Sequence, residues 1–99
     1  MKLMTKEIRK SLPPLYSTDG QGDEVIVRAK YFTPDSNWTW YATEFDGDDT
    51  FFGLINGFAA ELGLFSLKKL ESIRGPMGLP IERDRYFTPK TLGEVKAAA

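Results

Sequence analysis

The chain has 99 residues, 41% of them hydrophobic and 27% charged, which is one domain's worth of ordinary globular composition. It contains neither cysteine nor histidine, so disulfides, thiolate zinc sites, cysteine nucleophiles and serine–histidine triads are excluded within a single chain. The net charge of −1 conceals an uneven spread, with +3 over residues 1–10, −7 over 11–65 and +3 over 66–99.

One domain spanning residues 1–99 is expected, ordered from about residue 3 to 95. Thr5 is placed to cap a short helix running to Leu12, which Pro13-Pro14 must end. Residues 17–23 form a polar, glycine-rich loop. Glu24 to Phe32 reads as one strand, with Val25, Val27, Ala29 and Tyr31 on one face. Turn chemistry follows at Thr33-Pro34-Asp35-Ser36-Asn37. A second strand runs from Trp38 to about Phe45, alternating Trp38, Trp40, Ala42 and Glu44 against Thr39, Tyr41, Thr43 and Phe45. Asp46-Gly47 with Asp48-Asp49 signals a hairpin into a third strand, Thr50 to Phe58. Glu61 to Phe65 is a candidate fourth strand.

Ser66 is placed to cap a helix from Leu67 to about Ile73, with Leu67, Leu70 and Ile73 at helical spacing. A stiff Gly/Pro loop leads to an extended segment, Ile81 to Phe87, and Thr91 with Glu94 fits a capping box for a terminal helical turn. Ala97-Ala98-Ala99 is expected to be a frayed tail. This order predicts an α+β domain: an antiparallel meander sheet of four to five strands with two or three short helices packed on one face.

Four groups of residues invite a chemical reading. Glu44, Asp46, Asp48 and Asp49 could hold a hard cation or divide acid and base roles in a metal-assisted hydrolase. A solvated hairpin tip is the competing reading, because turns favour these residues and the spacing matches no EF-hand loop. Trp38 and Trp40 stand two apart and share a sheet face, with Tyr41 on the other. Exposed, they make an anchor for a partner or a stacking platform; buried, they are core. Asp35, Ser36 and Asn37 put a hydroxyl beside carboxylate and amide groups, and with no histidine at hand they read as a turn flanking that contact face rather than as a nucleophile. Lys68, Lys69, Arg74, Arg83 and Arg85 form a candidate basic patch for phosphate, against the alternative of an edge strand with cross-paired charges along Glu82-Arg83-Asp84-Arg85.

The strings Tyr31-Phe-Thr-Pro-Asp-Ser-Asn-Trp-Thr-Trp-Tyr41, Phe51-Phe52-Gly53, Glu61-Leu-Gly-Leu-Phe-Ser-Leu67 and Arg74-Gly-Pro-Met-Gly-Leu-Pro-Ile-Glu-Arg-Asp84 resemble the bacterial DUF2958 family, a domain of unknown function. So do Leu3-Met4-Thr5-Lys6-Glu7 and Leu12-Pro13-Pro14-Leu15-Tyr16, and the resemblance covers about residues 3–95. It supplies no catalytic residues. It implies an accessory protein of phages, plasmids and integrated elements, of a kind that binds a host protein and can blunt a defence or nucleic-acid-processing system.

Together these features favour a non-enzymatic, protein-binding module without a cofactor, with Trp38, Trp40, Tyr41, Asp35 and Asn37 as the contact residues. Nucleic-acid binding through the basic patch and metal-assisted hydrolysis are the alternatives. No stretch approaches the roughly 18 apolar residues of a membrane span, and no apolar leader opens the chain, so a cytoplasmic location is expected.

Overall fold

Local signals are honoured first. In the computed structural model, which describes residues 1–98, the Thr5 side chain accepts the Ile8 N–H (3.1 Å) and starts helix α1, Lys6–Ser11. Ser66 accepts the Lys69 N–H (3.2 Å) and starts α2, Leu67–Ser72. Thr91 and Glu94 exchange reciprocal bonds, Glu94 N–H to Thr91 Oγ1 (3.1 Å) and Thr91 N–H to the Glu94 carboxylate (3.2 Å), at the start of α3, Leu92–Ala98. Helix α3 takes in Ala97 and Ala98, so these two are not the frayed tail expected of them; Ala99 lies outside the described residues.

The strands are β1 (Ile26–Val27), β2 (Ala29–Phe32), β3 (Thr39–Phe45), β4 (Thr50–Asn56), β5 (Ala60–Ser66), β6 (Glu82–Arg83) and β7 (Lys90–Thr91). Five of them make an antiparallel sheet in the order β5-β4-β3-β2-β6, and β1 pairs β7 in a separate two-stranded ribbon. The architecture is the α+β meander expected. Helices α1 and α2 serve one face, where Leu3, Met4, Leu12, Tyr31, Trp40, Phe45, Phe51, Leu67, Leu70 and Ile81 form the larger core. Helix α3 serves the other face, where Leu92 and Val95 pack with Val25, Val27 and Leu54.

Three expectations are corrected. The segment Glu24–Phe32 is two strands, not one: the chain breaks at Arg28, whose N–H still donates to the Ala42 carbonyl (2.8 Å). The break sends Val25 and Val27 into the smaller core and Ala29 and Tyr31 into the larger one, so these four do not share a face. The third strand stops at Asn56, because the chain turns at Gly57, whose N–H donates to the Ala59 carbonyl (3.2 Å). Finally, strict alternation fails in β3. The register with β4 shifts between Ala42 and Glu44, a bulge that leaves Thr43 as the extra residue. Phe45 therefore joins Trp40 and Ala42 in the larger core, and Glu44 turns to the opposite face.

The aromatic side chains nearest the bulge fill the larger core. Phe51 is fully buried between Phe45 (centroids 4.6 Å), Phe65 (5.0 Å) and Tyr31 (5.6 Å). Its neighbour Phe52 points to the other face and is only half-buried. Phe51→Ala is expected to cost about 3–5 kcal/mol in denaturant unfolding, and Phe52→Ala clearly less; equal losses would contradict this register.

Candidate functional site

The aromatic pair is positioned by a closed turn. The Thr33 N–H donates to the Trp38 carbonyl (3.0 Å), and Thr33 Oγ1 accepts the Trp38 N–H (3.1 Å). Pro34 to Asn37 are thereby looped out, and Trp38 enters on the same face as Trp40, their rings stacked at 6.0 Å. Trp40 is buried and belongs to the core, whereas Trp38 is half-buried at its margin. Phe58, at the tip of the β4–β5 hairpin, meets Trp38 edge-on at 5.2 Å with 98% of its own surface exposed.

Gly57 makes this arrangement possible, since a Cβ there would lie 2.3 Å from the Trp38 ring. On the other side of Trp38 the Asp35 carboxylate accepts the Met77 N–H (2.7 Å) and ties down the loop after α2. Gly75 lies against that carboxylate, leaving no room for a side chain.

Between α2 and the sheet runs a depression of about 540 Å³, lined by Trp38, Trp40, Ile55, Phe65, Leu70 and Ile73, with Lys69 at its rim. A second depression of about 340 Å³ adjoins it and shares Trp38, Trp40 and Ile73, adding Thr33, Ser36, Arg74 and Pro76. A third, more polar one meets them at Trp38 and holds Lys30, Glu82, Arg83, Asp84, Arg85 and Tyr86. Helix α2 is six residues long, too short to cover the sheet up to its edge, and the uncovered strip is the groove.

The residues singled out by sequence are divided among these places. Trp38 and Trp40 line the groove, while Tyr41 lies on the opposite face against Phe87 (6.4 Å), with Lys30 Nζ 5.7 Å from its ring centre. Burial raises the Tyr41 hydroxyl pKa, and the nearby Asp84 carboxylate adds to the effect. Asp35 is a staple for the 75–79 loop, and Asn37 is exposed on the turn.

Of the basic group, Lys69 and Arg74 rim the apolar groove, and Arg83 and Arg85 line the polar depression. Lys68 is exposed on α2. Arg74 and Arg83 are partly committed to carbonyls, those of Glu71 and Ile73 for Arg74 and that of Lys2 for Arg83.

The acidic group does not converge. Glu44 is 2% exposed and accepts the N–H groups of Tyr16 (2.8 Å) and Thr18 (3.0 Å) together with the Thr18 hydroxyl. Asp46 accepts the N–H groups of Asp48, Asp49 and Thr50 within its own turn. Asp49 reaches across to α2, accepting the Ser66 hydroxyl (2.6 Å) and the Lys68 N–H (2.8 Å). Among the described residues no three acidic side chains gather at metal-binding distances. Glu44, Asp46 and Asp49 serve as acceptors within the fold, and Asp48 is exposed on the turn.

Sequence reasoning passed over Phe58, Ile55 and Ile73 as site residues. A signal was present: Asn56-Gly57-Phe58-Ala59 places a large aromatic on a turn, where small and polar residues belong.

The comparisons with known proteins agree with the sequence pattern. A family model described as a protein of unknown function (DUF2958) matches residues 3–98. The chain belongs to the DUF2958 family. No curated protein and no solved structure matches it. The match spans every strand and helix just described, so the groove is part of the family domain and not an appendage to it.

Two measurements check the geometry. Gly57→Ala is expected to displace Trp38 and change the near-ultraviolet circular dichroism and tryptophan emission, while cooperative melting persists; unchanged spectra would mean that the hairpin does not set the ring. Asp49 concerns pH. Bonds from the Ser66 hydroxyl and the Lys68 N–H hold its pKa below the ordinary 3.8. A carboxylate with a depressed folded pKa stabilises above its unfolded pKa, and that contribution is lost as pH falls through the folded value. Asp49→Asn is therefore expected to lower Tm at pH 7, and the gap to wild type is expected to close below pH 3.8. A gap that stayed constant into acid would show that ionisation is not the source.

Proposed function

We propose that this DUF2958 protein is a non-enzymatic binding module that captures a protein partner in the groove between α2 and the sheet. The observation that carries the reading is Phe58, 98% exposed, standing edge-on against Trp38, which itself lines the apolar groove. An aromatic in that position gains nothing from its own fold beyond one ring contact, whereas a partner side chain seated beside it would desolvate both rings. Interface energy concentrates in such aromatic anchors set in pockets. Lys69 and Arg74 at the rim suit a partner segment with apolar residues flanked by carboxylates.

An accessory role, in which the module occludes a host defence or nucleic-acid-processing protein, fits this mode of action and the mobile-element setting that the sequence resemblance implies.

A second reading has one observation in its favour. Lys69, Arg74, Arg83 and Arg85 all border depressions that meet at Trp38, and aromatic faces ringed by cations bind single-stranded nucleic acid. Glu82 and Asp84 interrupt that ring and favour the protein partner.

Affinity capture from bacterial lysate, with and without nuclease, separates the two. The binding-module reading expects a stoichiometric protein that survives nuclease and is lost with Phe58→Ser, a variant expected to melt like wild type. Nucleic acid in the eluate, with every captured protein lost on nuclease treatment, would favour the second reading. A partner held equally well by Phe58→Ser would remove the groove from the account.

A further inference from the structure

Strand β5, Ala60–Ser66, is the outer strand of the five-stranded sheet, and its sequence Ala-Glu-Leu-Gly-Leu-Phe-Ser bears a single charge. The phase of its hydrogen bonding is fixed at both ends. The Leu67 N–H donates to the Asp49 carbonyl (2.8 Å), and the Gly57 N–H donates to the Ala59 carbonyl (3.2 Å), both in register with the β4–β5 pairing Thr50↔Ser66 through Asn56↔Ala60. Main-chain groups alternate in direction along an antiparallel strand. Glu61, Gly63 and Phe65 therefore turn theirs toward β4, and Leu62 and Leu64 turn theirs outward along the free edge. The same two leucines are 51% and 52% exposed, on the sheet face where β4 presents Phe52 and Leu54 beside them.

We propose that β5 pairs antiparallel with β5 of a second copy of this chain, centred on Gly63 opposite Gly63. In that register Leu62 lies opposite the partner's Leu64 and the reverse, so every new ladder bond joins groups that point outward. The four leucines then form one apolar stripe continuous with Phe52 and Leu54. A two-fold axis through the centre makes the contact self-complementary and closed.

Charge agrees with this occupant. Glu61 sits opposite the partner's Phe65 on the α2 face, and Lys69 borders the same depression as Phe65 and Ser66. Each Glu61 thus approaches the partner's Lys69, and the two Glu61 side chains stay about 13 Å apart, four strand positions at roughly 3.3 Å each. Among the described residues Glu61 makes no ion pair within its own chain. Gly63 at the centre leaves the axis free of side chains. The contact is small, which places it among weak, concentration-dependent dimers.

Sedimentation velocity on the full chain tests this. Wild type is expected to pass from monomer to dimer as concentration rises through the micromolar range. Leu62→Lys with Leu64→Lys is expected to stay monomeric while melting cooperatively. Glu61→Lys and Lys69→Glu are each expected to weaken dimerisation by about tenfold, and the combined reversal to restore it. If the leucine variant fails to fold, the charge reversal still decides the register. A wild-type chain that remains monomeric throughout, a dimer that survives both lysines, or a double reversal without recovery would each overturn the proposal.

Discussion

The bulge at Thr43 is the constraint on which most of this structure depends. With regular alternation Glu44 would share the face of Trp40 and Ala42, driving a carboxylate into the aromatic core, and Phe45 would point away from it. One extra residue reverses both. Phe45 then packs tilted against Phe51, centroids 4.6 Å apart, and Glu44 finds the N–H groups of Tyr16 and Thr18 on the other face. The loop held by Glu44 leads back through Pro13, whose carbonyl accepts the Phe45 N–H (3.0 Å), and so to the end of α1. Burying a carboxylate is costly unless its oxygens are satisfied, and here the satisfying donors belong to the loop that seats the first helix. Core, loop and helix are one cooperative unit built around a single irregularity.

The groove follows from what this unit leaves uncovered. Asp49 bonds Ser66 and the first turn of α2, setting where the helix begins, and the helix ends after two turns. Past its end the chain packs through Ile73 and is tied to Asp35, leaving the strip of sheet beside Trp38 only partly covered. Thr33 fixes Trp38 from one side and the bare backbone of Gly57 admits its ring from the other. Of the four acids grouped in sequence, Glu44 holds the Tyr16–Thr18 loop, Asp46 its own turn and Asp49 the start of α2. What remains open to a partner is aromatic and aliphatic surface with lysine and arginine at its rim.

How much of this is readable from sequence depends on the range of the interaction concerned. Thr5, Ser66 and the Thr91–Glu94 box start helices where they should, because a cap acts over three residues. Asp46-Gly47 makes its hairpin for the same reason, with Gly47 at a φ of +88°. The break at Arg28 is not readable: Val25 to Tyr31 alternate without fault, and only the arrival of β7 and α3 from the end of the chain draws Val25 and Val27 to a different core. The bulge is hidden likewise, since Thr-Glu-Phe is acceptable in either phase until Phe51 and the Tyr16–Thr18 loop choose one. Trp38 and Trp40 were legible as a pair, but their separate fates, margin and core, depend on the length of α2 and on the hairpin that brings Phe58.

The proposed partner site is the partly covered groove at Trp38. Hydrogen–deuterium exchange on the captured complex tests it most directly, because it reports the contact surface without any substitution. Slowed exchange is expected only at residues 33–40, 55–59 and 69–76 around the groove. Slowing confined instead to the face of Tyr41, Phe87 and α3, with residues 33–40 unchanged, would contradict it.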